Sequence, residues 1–520
     1  MRSRKLTAMA CFALSACAHT GPEQPFAHVE ATIGDVQSAI LDGRASCVDI
    51  VEGYLRRIDT FDKATGLNAI IFTNPNAVAR AAAIDARIAR GEAPGPLFCV
   101  PVLLKDNFDT ADMPTSGGSV ALKSSVPPDD AFMVRRLREA DAIIIAKTNM
   151  AEWAFSPKQT LSSSYGVTAN AYDLERVPAG SSGGTASGIA ASFGVVGMGS
   201  DTGNSIRGPS SHLALFGIRS TLGLTSRDGV IPLVFDRDIA GPMTRTVTDG
   251  ARVFNVIAGY DPADSYTLPG KNKVEADYTD FLDATALEGK RIGVLRALVD
   301  TEDADADVIR VFEQAVAELG DAGAEIVDDF VVTDLQAHMD ANNFCMRFRY
   351  DMHVYLASLG EAAPIRDVIE VLESGAYHLY IEERLRRFGD GPASVHPRDR
   401  DPPCPDYPDH PGRQAYLADV VAAMDAAGVD AIVYPSWTSP PAHLARAIED
   451  YRGDNSQLIA PATGLPAVSV PMGYTHGGLP AGLQILGRPY SEGLLIGLAY
   501  AYEQATRHRV PPASFPELDP

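Results

Sequence analysis

Apolar positions along this chain recur with helical and strand periods in turn, and that alternation predicts its architecture. Residues 32–59 have the spacing of two helices divided by Asp42-Gly43. In the second, Ser46 and Asp49 form a capping pair, and Val48, Val51, Tyr54, Leu55 and Ile58 share one face. A helix at 77–90 stops at Gly91, with Pro94 beyond it. The apolar run from Leu97 to Leu104 then predicts a buried strand that delivers Lys105 at its end. Residues 131–140 read as helix, 142–146 as strand, 185–193 as a closely packing helix of small residues, and 195–198 as a short buried strand. Ile239-Ala240-Gly241-Pro242-Met243 reads as a turn. The pattern resumes with strand 291–295, helix 308–319 and strand 325–327. Residues 335–387 read as helical, and of their Phe344, Phe348, Tyr350, Met352, Tyr377 and Tyr380 most are expected in the core. Residues 389–411, rich in Pro, Asp and Arg, predict an irregular insertion over the mouth of a site. Strands at 431–434, 467–471 and 482–486 and a helix at 492–505 complete the pattern. The strand–helix–strand rhythm predicts an α/β protein with a mainly parallel sheet. With no internal repeat or clean linker, one large domain is expected.

Composition narrows the function. A chain of 520 residues can bury a substantial core, and its net charge of −23 argues against a nucleic-acid surface. No apolar run reaches the roughly 20 residues of a membrane span. The first residues stand apart: Arg2, Arg4 and Lys5 precede an apolar segment over 6–16, the layout of a secretory signal. It ends in Leu14-Ser15-Ala16-Cys17, which resembles a bacterial lipobox. Residues 1–16 are therefore expected to be a signal peptide, Cys17 the lipid attachment point, 17–31 a linker and 32–520 the enzyme domain. Such a protein would sit in the bacterial envelope, on the periplasmic side, and Ala18 after the cysteine favours the outer membrane. Cys47, Cys99, Cys345 and Cys404 match no metal-binding spacing, so no metal is expected. Export permits a disulfide, for which Cys345 with Cys404 is the one candidate pair and the sequence leaves its bridging open, whereas Cys99 reads as a small buried hydrophobe.

Two Gly- and Ser-rich stretches carry the candidate chemistry: Pro178-Ala179-Gly180-Ser181-Ser182-Gly183-Gly184-Thr185 and Gly199-Ser200-Asp201-Thr202-Gly203-Asn204-Ser205-Ile206-Arg207. They place hydroxyls beside bare amide N–H groups, which suits a developing negative charge. Lys105, at the edge of an apolar strand, has its charged form disfavoured and becomes accessible as a neutral base. Gly180-Ser181-Ser182-Gly183-Gly184 also satisfies G-x-S-x-G, which would make Ser182 the nucleophile of an esterase, although residues 173–179 make a poor strand for a nucleophile elbow. Asp201-Thr202-Gly203 resembles an aspartic-protease triplet, but no second copy supplies the partner carboxylate.

Taken together, Leu103-Leu104-Lys105-Asp106-Asn107, the two Gly/Ser stretches and Gly241-Pro242-Met243 closely resemble the amidase signature family of serine hydrolases, in its motif order and with 24 positions between Ser181 and Ser205. Lys147-Thr148-Asn149-Met150-Ala151-Glu152-Trp153 is similar to the branch containing bacterial peptide amidases. The resemblance implies a twisted mixed sheet covered by helices on both faces. It further implies Ser205 as nucleophile, Ser181 as a bridging serine after a cis peptide bond, and Lys105 as base. The N–H groups of Thr202, Gly203, Asn204 and Ser205 would form the oxyanion hole, Asp201 and Arg207 would hold the loop, and Ala154 and Ser181 would contact substrate. A small-molecule amide is the implied substrate, with no cofactor, and His212 becomes structural. Two positions depart from the usual pattern: Asn204 where most relatives have glycine, and Ser220 where a proline is usual. Asparagine suits a backbone of positive φ. Beside the amidase stand two other readings, a non-catalytic binding lipoprotein on the same fold and an esterase using Ser182.

Overall fold

The computed structural model describes residues 26–341 and 344–519; the expected signal peptide and Cys17 lie outside them. One sheet of eleven strands organises the molecule. Its strands are β1 (Ile70–Thr73), β2 (Pro101–Lys105), β3 (Ile143–Thr148), β6 (Val196–Asp201), β7 (Phe216–Arg219), β8 (Ile239–Thr244), β9 (Arg291–Val294), β10 (Glu325–Val327), β11 (Ala431–Pro435), β12 (Ala467–Thr475) and β13 (Leu479–Leu486). They lie in the order β1-β3-β2-β6-β8-β7-β12-β13-β11-β9-β10, and β4 (Leu161–Ser162) and β5 (Gly166–Val167) form a separate small hairpin. Helices flank the sheet, and a single α/β domain results.

The sheet is mixed, not mainly parallel. Only β2 with β3 and β6, and β9 with β10 and β11, pair in parallel; the other six pairings of the large sheet are antiparallel. One cause is β8, expected as a turn because of its Gly-Pro pair. Pro242 lacks an N–H, yet it sits opposite Met198 of β6 and lies beyond the two residues of β8 that pair with β7, so the strand tolerates it.

Strand β2 explains the position of the site. Every residue from Pro101 to Lys105 is buried, and Leu104 lies opposite Lys147 of β3 and Met198 of β6. The helix Gly183–Ala190 packs on β2 and β6. Glycine makes this approach feasible: a Cβ at Gly188 would come within 2.8 Å of Leu103 Cδ1, and one at Gly184 within 2.2 Å of the Asn149 carbonyl.

The helix Leu335–Ala341 packs on the main core through Leu335, and a second apolar cluster fastens residues 344–388 to the molecule. The helices of that segment are Phe348–Ser358, Ile369–Ser374 and Glu382–Phe388, and Phe348, Met352 and Leu385 pack with Trp153 and Phe155. Trp153 and Ala154 are consecutive left-handed residues, φ 53° and 57°, a conformation costing on the order of 1–3 kcal/mol each outside glycine. Trp153 N–H donates to the Gly117 carbonyl at 2.8 Å, which holds this turn.

Other expectations change as well. Residues 26–31, the end of the expected linker, pack on the domain, with Tyr54 OH donating to the His28 carbonyl and Arg509 pairing with Glu30 at 2.7 Å. Cys99 is not a free buried thiol: it is bridged to Cys47 at the start of the helix Cys47–Thr65. Cys345 and Cys404 are also bridged. The insertion 389–411 holds two short turns, at Pro397–Asp399 and Tyr407–Asp409.

Candidate active site

Strands β2 and β6 end side by side, which brings Lys105 to the first Gly/Ser stretch. Lys105 Nζ lies 2.7 Å from Ser181 Oγ, 2.8 Å from Ser200 Oγ and 3.3 Å from the Ser200 carbonyl. The lysine has no solvent exposure. Burial lowers its pKa to about 7, against the opposing pull of Asp201 and Asp238. Nζ donates in all three contacts, and an amine that has lost one proton keeps two donors for Ser200 and frees a lone pair toward Ser181 Oγ. Asn107 Nδ2 donates to Ser200 Oγ at 2.9 Å, so Ser200 and Asn107 hold the lysine from behind. A second buried lysine, Lys147, is engaged elsewhere, donating to the Phe108 carbonyl at 2.6 Å and to Thr115 Oγ1 at 2.8 Å.

The peptide bond between Gly180 and Ser181 is cis. Its frame is set by the Gly180 N–H donating to the Pro157 carbonyl at 2.9 Å and the Ala151 N–H donating to the Ser181 carbonyl at 3.1 Å. Ser182 points elsewhere: it is fully buried, donates to the Ser200 carbonyl at 3.1 Å and does not line the cavity beside Ser205. Ser181, expected to contact substrate, is equally buried and equally outside that lining; the two differ in their partners, Lys105 Nζ for Ser181 and the Ser200 carbonyl for Ser182.

Beyond β6 the chain turns through Thr202, Gly203, Asn204 and Ser205. The amide N–H groups of these four residues have no acceptor among the described residues. Four adjacent donors are thus unengaged among the described residues. The Asp201 carboxylate holds the turn, accepting from Ile206 N–H at 3.2 Å, Arg207 Nε at 3.1 Å and Arg219 Nη1 at 2.9 Å. Burial alone would raise the pKa of Asp201, but Arg207 and Arg219 outweigh it and hold it at about 2. Thr202 Oγ1 donates to Asp238, and Arg207 Nη2 to the Gly203 carbonyl at 2.6 Å.

Asn204 has no positive φ, so the conformational reason for asparagine does not apply. Its side chain instead spans the loop: Nδ2 donates to Asp454 Oδ2 at 2.9 Å, and Oδ1 accepts from Ser205 Oγ at 3.4 Å. Asp454 also accepts from Tyr451 OH at 3.0 Å and Gln457 Nε2 at 2.9 Å. Burial raises its pKa to about 7. Among the described residues no hydrogen bond joins Ser205 to Ser181. Ser220, the other departure, is buried with Oγ 3.2 Å from Thr225 Oγ1.

Thr202, Gly203, Asn204 and Ser205 form one wall of a cavity of about 540 Å³, with Ala154, Phe155, Phe344 and Phe388 among its other lining. Phe344 thus meets the cavity, whereas Phe348 and Met352 are core. No residue of 389–411 lines it, so the insertion does not cover this mouth; His396, Arg398 and Asp406 line a different cavity beside Arg227. His212 is also absent from the lining. It packs on Trp437 as a tilted ring pair with centroids 4.5 Å apart, and burial pushes its pKa down to about 3, so it stays neutral.

Ser200, Asp238, Arg219, Asp454 and Gln457 were not legible as site residues in the sequence. Ser200 had a usable signal, since it stands immediately before Asp201 at the end of a buried strand. Asp454 had none, because it reaches Asn204 across 250 positions.

Comparison with known proteins places the fold in a family. Residues 49–496 match the family model described as Amidase. A glutamyl-tRNA(Gln) amidotransferase subunit from Microcystis aeruginosa is 34% identical over 497 residues, covering 91% of this chain and 97% of that protein. Among solved structures, the native peptide amidase of Stenotrophomonas maltophilia superposes with a TM-score of 0.82 at 35% identity, over 94% of this chain and 99% of its own. An amidase family protein of Bacillus anthracis gives a TM-score of 0.79 at 29% identity, over 93% and 92%. With its motifs, its fold and nearly its whole length matched, this chain belongs to the amidase signature family.

Proposed function

We propose that this protein hydrolyses a linear carboxamide to a carboxylate and ammonia or an amine, through an acyl-enzyme on Ser205. The observation that carries this reading is the fully buried Lys105 in contact with Ser181 Oγ, beside a turn with four unengaged N–H donors. Ser205 Oγ rotates away from Asn204 toward Ser181. Neutral Lys105 then takes the Ser181 proton as Ser181 takes that of Ser205, and Oγ attacks the carbonyl carbon. The oxygen of the tetrahedral intermediate accepts from the N–H groups of residues 202–205, each worth on the order of 3 kcal/mol in the transition state. The lysine proton returns through Ser181 to the leaving nitrogen, which departs as a neutral amine. Water repeats the cycle on the acyl-enzyme, releases the carboxylate and restores Ser205. The relatives named for amide transfer and for peptide amidase activity share C–N cleavage, and water is the proposed acceptor here.

The proposal extends to location: export, cleavage before Cys17 and a lipid anchor in the bacterial envelope. The lipobox-like Leu14-Ser15-Ala16-Cys17 supports it, and two disulfides fit an oxidising compartment. Mass spectrometry of the mature protein is expected to find a lipidated N-terminal Cys17; an unmodified chain starting elsewhere overturns the anchor.

Labelling with a fluorophosphonate, followed by peptide mapping, tests the chemistry. Label is expected on Ser205. Label on Ser182 would support the esterase, and no label at all a non-catalytic binding protein. Lys105→Ala is expected to lower amide hydrolysis by about 10²–10⁴-fold, the usual worth of a positioned base. Unchanged amide turnover in that variant would refute the lysine base.

A further inference from the structure

The charges around the Ser205 cavity do not follow the composition of the chain. In a protein of net charge −23, the lining includes Arg237, Arg384 and Arg387 but one carboxylate, Asp454. Asp454 is already engaged by Asn204, Tyr451 and Gln457 and forms no ion pair with these arginines. Arg384 and Arg387 come from the helix Glu382–Phe388, where their spacing places them on one face. The intervening Arg386 pairs with Glu382 at 2.7 Å and does not line the cavity. Arg384 and Arg387, which do line it, form no ion pair or hydrogen bond among the described residues. Arg237 enters from the loop before β8, with its guanidinium 5.1 Å from the ring centre of Phe344, another lining residue. A guanidinium carries five N–H donors, so Arg237 can keep its contacts within the protein and still bind a ligand.

We infer that the substrate amide also carries a carboxylate or a comparable anionic group, held by Arg237, Arg384 and Arg387 while the scissile amide lies against Thr202, Gly203, Asn204 and Ser205. The inference rests on the amidase reading above and adds the substrate class to it. Arg237 is buried, Arg384 half-buried and Arg387 exposed at the rim; arginines bind carboxylates through short, charge-assisted pairs, strongest where water is excluded, and they disfavour a cation in the same place.

Matched amides test it: monoamides of straight-chain dicarboxylic acids over a series of spacer lengths, each compared with its neutral methyl ester and with an ammonium analogue. The wild type is expected to favour the anionic member of the best set in kcat/KM by about tenfold or more, the worth of one charged contact. This ratio is expected to collapse, mainly through KM, in R384Q/R387Q and in R237Q, and to be largely kept in R237K. Because a ratio is read, loss of folded protein cancels. A wild type that turns over neutral amides as well as anionic ones, or a ratio unmoved in both variants, overturns the inference and leaves the amidase reading intact. Calorimetry on Ser205→Ala with the same ligands separates the opposite case: preferential binding of the anionic member, in a protein whose wild type hydrolyses no amide, sustains the inference and removes the catalytic reading. Absence of both turnover and binding removes both.

Discussion

At the scale of the residue, burial decides how Lys105 can act. A lysine in water is charged at neutral pH; with its pKa lowered to about 7, much of Lys105 is neutral there. The neutral form is the base, so kcat/KM for an amide is expected to rise with pH through about 7 and then level off. Lys105→Arg, which cannot shed its proton, is expected to remain inactive across the range. A profile measured between mildly acidic and mildly alkaline buffers checks both; a wild-type rate that falls over this interval would contradict the assignment. Lys105, Ser181 and Ser205 were legible because the lysine ends an apolar run and the serines stand in dense Gly/Ser stretches whose joint order resembles a family. What Asn204 does was not legible. Its departure from glycine suggested a backbone reason, whereas the structure gives a side-chain one, and its partner Asp454 is far away in the chain.

Among the elements, the strands beside the site were readable from their apolar runs, and β2, β3 and β6 fall where the periodicity places them. The helices Val247–Ile257 and Pro411–Ala427 were missed, and among the strands those missed have local causes. In β8 the Gly-Pro punctuation conceals a strand that long-range pairing stabilises, and β1 and β7, of four residues each, are too short to show a period. The helices of 335–388 were readable, but their attachment was not. It includes the buried Glu152, which accepts from Ser163 N–H at 3.0 Å, Ser163 Oγ at 2.8 Å and, from the helical segment, His378 N–H at 3.2 Å. Burial raises its pKa to about 7, although these hydrogen bonds oppose the shift. Between the unfolded carboxyl value and about 7 the folded state therefore holds this proton more tightly, so its contribution to stability is present at low pH and is lost as pH rises. Glu152→Gln cannot titrate. The stability of the wild type relative to this variant is expected to fall by on the order of 2–3 kcal/mol between pH 4.5 and 7.5. Denaturant titrations of both proteins at the two pH values measure it, and a constant difference would show that Glu152 is ionised throughout.

For the molecule as a whole, the two disulfides close loops of similar span, with sequence separations of 52 and 59. Only Cys345 with Cys404 stood as a candidate pair in the sequence. The pairing of Cys47 with Cys99 depends on a helix start meeting the approach to β2, which no local pattern records. Loops of this length are each worth about 2–4 kcal/mol. Replacing Cys47 and Cys99 by serine is expected to cost that much in denaturant unfolding, and non-reducing peptide maps of the wild type should contain both linked pairs. A map showing Cys99 as a free thiol would return it to the role of a buried hydrophobe. The parallel register of β2 has a further consequence, for how this enzyme can change. Side chains alternate between the two faces of a strand, so removing or inserting one residue within Val102-Leu103-Leu104 would turn Lys105 to the other side of the sheet, away from Ser181. Substitutions along β2 erode packing by degrees; a change of length there abolishes the site in one step. The strand works as a ruler, and its count of residues is under tighter constraint than their identity.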